Sequence, residues 1–336
     1  MRIFLLLSLR QHIKMRRLKL KIFLFIIFAF LFPQTIKAQT LGLGIYPPLL
    51  EVTIMPGKTI TQVYKLSNPG EIDLMMTSSI VSFEPSDEIA GIKLVADAEQ
   101  LKPISFAFLN ADLRLGQTFP LPAGGTQEIV LILKVPETAP EKDYYATFLF
   151  QTAPMKGYGT LSASQTQAKI GTNLLITVSR TGKPIKKAEI EEFRLVNCSR
   201  LCIIDSFTQP EFFIKIKNAG HSYFKPLGKI LLQGRFKQEE TLDLLPQNIL
   251  SGFSREIQCQ TDDEAELRDK VQPCQAKTTF LIGPFKAKIE FGLDDFSSQY
   301  QQEIHFIAIP IKLVFGLFVL AIILGLIRTR LGVDKI

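Results

Sequence analysis

The 336-residue sequence has no tryptophan, only three histidines and only four cysteines, whereas phenylalanine occurs 26 times. So few histidines leave little material for a metal centre or for histidine-dependent acid–base chemistry. There is no HExxH, no G-x-S-x-G and no cysteine set in a nucleophile pattern with a histidine. His12 falls in the N-terminal basic stretch, His221 follows a turn, and His305 stands at the mouth of a C-terminal apolar run, where an interfacial role is the simpler reading. Gly42-x-Gly44 is a fragment with no helix pattern behind it, and so is not a dinucleotide site. Asp262-Asp263-Glu264-Ala265-Glu266 has the clustered oxygens that Ca²⁺ takes, but a solvated loop is the ordinary form of such a run. The expectation is a non-enzymatic protein with no catalytic residue, no cofactor and no metal site.

Acidic residues are missing altogether from residues 1–38, which hold eight basic ones. The formal net charge of +7 is therefore uneven. Setting aside those eight, together with Lys312, Arg328, Arg330, Lys335 and Asp334, residues 39–311 keep 27 basic against 31 acidic side chains. A body of about −4 does not attract polyanions, which argues against nucleic acid as a partner.

Long hydrophobic runs occur only at the two ends. Residues 22–32 (IFLFIIFAFLF) follow basic residues and precede Ile36-Lys37-Ala38, the layout of a secretory signal peptide over 1–38. Met15 opens MRRLKLKIFLF, itself a complete signal start, so translation is expected to begin there. Residues 306–327 (FIAIPIKLVFGLFVLAIILGLI) are apolar apart from Lys312. Twenty-two helical residues reach about 33 Å, enough for a hydrocarbon core of about 30 Å. Arg328 and Arg330 adjoin that run and place the tail, residues 328–336, in the cytoplasm. The expected topology is a single-pass, type I membrane protein with most of its chain outside the cytoplasm.

That compartment permits disulfides. Cys198 and Cys202 are close in sequence, as are Cys259 and Cys274. Four cysteines allow three pairings; the local one, 198–202 and 259–274, is favoured, and a four-cysteine zinc site fits the spacing less well.

Between the ends no stretch sustains a helical period. Short runs rich in Val, Ile, Thr, Tyr and Phe are punctuated by Pro and Gly, as in LLEVTIM before Pro56-Gly57 and TITQVYKLS before Asn68-Pro69-Gly70. Within 286–292 Ala287, Ile289 and Phe291 alternate with Lys286, Lys288 and Glu290, the pattern of a half-buried strand. Residues 86–112 are ambiguous, with room for a short helix or an insertion. Tyr144-x-Ala146-x-Phe148-x-Phe150 matches Phe285-x-Ala287-x-Ile289-x-Phe291 at an offset of 141, which suggests two copies of one unit. Asn68-Pro69-Gly70 and Asn218-Ala219-Gly220 end a strand in each half and suit turn positions with positive φ. The fold class expected is all-β: Ig-like sandwiches over 39–182 and 188–305, joined by a polar linker, then a transmembrane helix over 306–327.

The punctuation from Ile45-Tyr46-Pro47-Pro48 through Pro56-Gly57 to Asn68-Pro69-Gly70 resembles the opening of the WxL-interacting proteins of bacterial surfaces. Lys217-Asn218-Ala219-Gly220 to Pro226-Leu227-Gly228, and Leu245-Pro246 to Ser254-Arg255, are similar to turns of that family's second domain. The chain departs from the pattern in its four cysteines and in Glu141-Lys142-Asp143, where the family has a glycine. The resemblance implies a first Ig-like domain that binds peptidoglycan, a second that binds a host or partner protein, and a membrane anchor. The expected function is a membrane-anchored surface scaffold that binds cell-wall polymer, another surface protein, or both. The alternative is a pilus-chaperone-like or secretion-assembly subunit acting by β-strand addition. Pro47-Pro48 and the polar segment 153–168 are the candidate binding loops, although 153–168 also reads as a plain hairpin connection.

Overall fold

The computed structural model describes residues 42–330 apart from 87–90, 96–97, 154–166, 197, 199–201, 236–237, 261–272, 279 and 295–298. The segment 1–38, the acidic run 262–266 and most of 153–168 lie outside the described residues.

Strands account for nearly all the regular structure, and they assemble into two sandwiches. The first holds β1 (Gly44–Tyr46), β2 (Leu49–Ile54), β3 (Thr59–Ser67), β4 (Leu74–Pro85), β5 (Ile92–Val95), β6 (Ser105–Phe108), β7 (Thr118–Leu121), β8 (Thr126–Lys134), β9 (Asp143–Thr152) and β10 (Lys169–Val178). One sheet runs β1-β3-β8-β6, and the facing sheet runs β2-β10-β9-β4-β5 with β7 beside β4. The second sandwich holds β11 (Ala188–Leu195), β12 (Ile203–Asp205), β13 (Glu211–Asn218), β14 (Pro226–Gly234), β15 (Glu239–Asp243), β16 (Ser254–Glu256), β17 (Cys274–Gln275), β18 (Gly283–Leu293) and β19 (Tyr300–Ile309). Its sheets run β11-β13-β16, with β17 also on β13, and β12-β19-β18-β14-β15. Residues 86–112, ambiguous in sequence, form β5, a 3-10 turn at Ala98–Leu101 and β6.

Period-two burial builds each core. In β13 (EFFIKIKN) the even positions are buried without exception, and β8 (TQEIVLILK) buries Ile129, Leu131 and Leu133. The two repeated motifs occupy equivalent places, β9 and β18, and each puts four side chains into its core. Tyr144, Ala146, Phe148 and Phe150 are at most 2% exposed, as are Phe285, Ala287, Ile289 and Phe291.

Both sandwiches begin with the same switch of sheets. β1 pairs antiparallel with β3, and after Pro47-Pro48 the chain continues as β2, parallel to the last strand β10. In the second unit β11 pairs antiparallel with β13, and β12 then lies parallel to the last strand β19. A Cys198–Cys202 disulfide ties the connection between those two halves.

The Asn-x-Gly turns also match, but not through the backbone conformation expected. Neither Gly70 nor Gly220 has positive φ. Instead each asparagine side chain is buried and organises its turn. Asn68 Oδ1 accepts the Gly70 N–H, and its Nδ2 donates to the carbonyls of Ile72, Leu121 and Pro122. Asn218 accepts the Gly220 N–H and donates to the carbonyls of Ser222 and Ile249. Gly220 is required by proximity, because a Cβ there would lie 2.6 Å from the Lys187 nitrogen of the linker.

The C-terminal helix differs from its expected limits. Phe306 and Ala308 are core side chains of β19, so the sandwich claims residues to Ile309. The helix α1 starts after Pro310 and spans Ile311–Arg330. The apolar run read as one element is therefore a buried strand end followed by a helix. Among the described residues no helix is long and apolar enough to cross a membrane. Described side chains of α1 stop at Ile327, and the stretch from Ile311 reaches about 25 Å, short of a core of about 30 Å.

Candidate functional site

Where the two sandwiches meet, carboxylates of the first hold backbone and side-chain groups of the second. Asp143, at the start of β9, accepts three hydrogen bonds. Tyr145 and Thr177 donate from their hydroxyls at 2.7 Å each, and the Tyr223 N–H donates at 2.6 Å across the junction. The Tyr145 hydroxyl in turn accepts the Ser251 N–H at 2.9 Å, and Ser222 shares a 3.2 Å hydroxyl contact with Thr177. Glu51 of β2 pairs with Lys225 at 2.8 Å and accepts from Asn248 Nδ2 at 2.5 Å. A small apolar cluster of Phe83, Leu175 and Leu250, with Tyr145 and Tyr223 packed against it, seals the same junction.

The environment of the tyrosines follows from this burial. Desolvation pushes the Tyr145 hydroxyl far above the ordinary phenol value, and the Asp143 carboxylate adds to the rise. Burial likewise raises Tyr223, with smaller contributions from Glu51, Asp143 and Asp294. Both stay hydrogen-bond donors at physiological pH, which suits them to bracing an interface rather than to proton transfer.

Beside the junction opens a cleft of about 820 Å³. Its first-sandwich wall includes Leu49, Phe83, Ile92 and Asn173, and its second-sandwich wall includes Phe213, Lys215, Asn248, Phe253 and Arg255. Arg255, on β16, is half-buried and donates to the Asn248 carbonyl at 2.8 Å. No carboxylate among the described residues forms an ion pair with it, and burial lowers its pKa. A guanidinium has five N–H donors, so most of this fork is available to a ligand. Gln247 Oε1 and Asn248 Oδ1, in the same wall, are shut off from solvent without a hydrogen-bond partner. The cleft thus combines apolar walls with the charged side chains of Arg255, Lys215, Glu192 and Glu256, and the two unsatisfied oxygens lie behind its surface. This is the inventory of a binding site, with a few polar groups set among apolar ones.

The residues singled out from sequence are placed elsewhere. Cys198 bonds Cys202 and Cys259 bonds Cys274, each within the second sandwich and outside the cleft. Pro47-Pro48 marks the sheet switch, where the Pro47 carbonyl accepts the Thr172 hydroxyl at 2.8 Å. The exposed His221 donates its backbone N–H to Ile185 of the linker, and His305 is exposed on β19 opposite Lys286. Among the described residues no three His, Cys, Asp or Glu side chains are grouped to hold a metal ion. Arg255 and Asp143 were not singled out as site residues from sequence, where the first marked only a turn and the second only a departure from a family pattern. Glu51, Tyr145, Tyr223 and Asn248 carried no signal, because their partners come from the other sandwich.

No family model and no curated protein matches this chain. Solved structures do. A chaperone–tip adhesin complex of CFA/I fimbriae biogenesis matches at 9% identity and TM-score 0.39, covering 79% of this chain and 98% of that one. The E. coli chaperone DraB matches at 12% identity and TM-score 0.36, covering 80% and 99%. A PapD-like domain of human CEP192 matches at 16% identity and TM-score 0.28, covering 44% and 94%. At these scores the likenesses carry no argument about function, which rests on the chain's own geometry.

Proposed function

We propose that this chain is a membrane-anchored, non-enzymatic binding protein of a bacterial surface, and that the cleft between its sandwiches holds the ligand. The observation that carries the reading is Arg255, a half-buried cation with no carboxylate partner among the described residues, at the wall of a cleft of about 820 Å³. Such a group is costly unless a bound anion completes it. The matching ligand has a carboxylate for Arg255 and an extended apolar or amide surface for the walls. Peptidoglycan stem peptides have that chemistry, as does an acidic strand of another surface protein. The ligand is assigned to the wall peptide, in keeping with the resemblance to WxL-interacting proteins.

In this reading the anchor is α1, an almost wholly apolar helix from Ile311 whose described side chains cover about 25 Å of a hydrocarbon core of about 30 Å. Asp205 accepts the Lys312 N–H at 3.0 Å and so joins the helix start to the second sandwich.

Strand addition is the second reading, and one observation favours it. β2 covers β10 from Asn173 to Val178, leaving residues 169–172 with a partner on the β9 side alone. A four-residue edge is short for a donated strand, which is why the cleft ranks first.

Co-sedimentation of the full chain in detergent with purified wall sacculi tests the assignment. Retention that free stem peptide competes away is expected. Full recovery in the supernatant, with capture of an unfolded pilin-like chain instead, would reverse the ranking.

A further inference from the structure

The base of the second sandwich carries an apolar collar around the start of α1. Ile203 and Ile307 are cross-strand partners on β12 and β19, and both face outward at 36% and 43% exposure. Two residues on, Ile309 is 39% exposed, and Ile282 precedes the Gly283↔Ala308 pair that starts the β18–β19 ladder. Phe207 and Phe280 lie against each other with ring centroids 5.3 Å apart, yet stay 49% and 40% exposed. The Leu281 N–H donates to the Ser206 carbonyl, which locks those two turns together. Six large apolar side chains are therefore left in water by elements that converge on one end of the molecule.

A contiguous apolar surface of this kind marks an interaction site, whereas scattered exposed side chains need no explanation. Its position selects the occupant. The collar adjoins Ile311, the first residue of a helix whose described side chains are all exposed and almost wholly apolar. Asp205 sits within the collar, between Ile203 and Phe207, and holds the helix by the Lys312 N–H. The same hydrogen bond holds its carboxyl below the usual range. The helix and the collar are thus presented together, at one end and in one orientation.

We propose that the collar seats in the interfacial layer of the bilayer that α1 enters, with Phe207 and Phe280 as the deepest side chains. This inference rests on the anchor reading given above. Aromatic rings favour the headgroup level, where an apolar body meets a wet rim. Seating the collar would fix the tilt of the second sandwich on the membrane and hold the cleft at a set height.

The absence of tryptophan supplies the test. Single reporters Phe280→Trp, Phe207→Trp, Phe318→Trp and Phe253→Trp are made in the full chain and reconstituted into phosphatidylcholine vesicles. The vesicles carry bromine either near the headgroup or near the chain end. The expected result is loss of most Phe318→Trp emission with deep bromine and of most Phe280→Trp and Phe207→Trp emission with shallow bromine. The Phe253→Trp reporter, in the cleft, should stay unquenched. Quenching at Phe318→Trp while both collar reporters behave like Phe253→Trp would overturn the collar and leave the anchor standing. No quenching at any reporter would overturn the anchor, and the collar with it.

Discussion

The Asp143 carboxylate of the first sandwich accepts the Tyr223 backbone N–H of the second at 2.6 Å. The same oxygen accepts the Tyr145 hydroxyl, whose own oxygen accepts the Ser251 N–H. Two strands of the first sandwich and one loop of the second thereby meet on a single side chain, and a second loop joins them through Tyr145. The angle between the sandwiches, and with it the width of the cleft, is set by a charge-assisted network rather than by the linker alone.

Removing that carboxylate should loosen the junction. Asp143→Ala is expected to cost about 2–3 kcal/mol, the range for hydrogen bonds to a charged group. Asp143→Asn, which keeps one acceptor oxygen, should cost less. Denaturant melts read the loss, and small-angle scattering should show a broader distribution of domain angles for Asp143→Ala. An unchanged melt and unchanged scattering would show that the junction is held elsewhere.

The two turn asparagines allow a paired comparison. Asn68 is 1% exposed and Asn218 is fully buried, and their hydrogen bonds are laid out alike. Asn68→Ala and Asn218→Ala each leave buried carbonyls without a donor, so each is expected to cost about 2–3 kcal/mol. Replacement by aspartate keeps the acceptor for the glycine N–H but sets a carboxylate against those carbonyls. It should therefore destabilise at least as much at neutral pH. A mild aspartate variant would show that the Oδ1 contact alone makes the turn.

Alkaline pH should weaken the fold in a defined window. Tyr64, Tyr145 and Tyr223 have phenols raised well above their ordinary value, chiefly by burial. In the unfolded chain they ionise near pH 10, whereas the folded chain keeps their protons to higher pH. The folded state then binds more protons above about pH 10, so stability present below that pH declines as pH rises through the folded values. With no tryptophan to mask tyrosinate absorbance, the signal of these three should emerge together with the loss of circular dichroism. Emergence before unfolding would mean that the phenols are accessible in the folded state.

Much of the architecture was legible because period-two burial and turn punctuation are local. The matched motifs at 144–150 and 285–291 mark equivalent strands in the sequence itself, since a penultimate strand must fill the core of each copy. The asparagine turns were located but misassigned in mechanism: burial of a side-chain amide leaves no mark on a sequence that positive φ would not also leave. The helix start was misplaced because Phe306 and Ala308 are as apolar as the residues after Pro310, and hydropathy does not separate a core strand from a helix. The cleft was illegible for a further reason. Glu51 and Asn248 are nearly two hundred positions apart, and only the packing of one sandwich on the other brings them within hydrogen-bond reach.

The most direct test is a calorimetric titration of soluble wall stem peptide into the full chain in detergent, comparing the unmodified protein with Arg255→Gln. The account predicts that Arg255→Gln weakens binding about tenfold or more, the loss of a charge-assisted hydrogen bond. It also predicts a melt for Arg255→Gln that changes little, because the lost hydrogen bond to the Asn248 carbonyl is offset by relief of a half-buried cation with no carboxylate partner among the described residues. Equal affinity for the two proteins would contradict a ligand seated on Arg255, and so would a variant that binds weakly only because it unfolds.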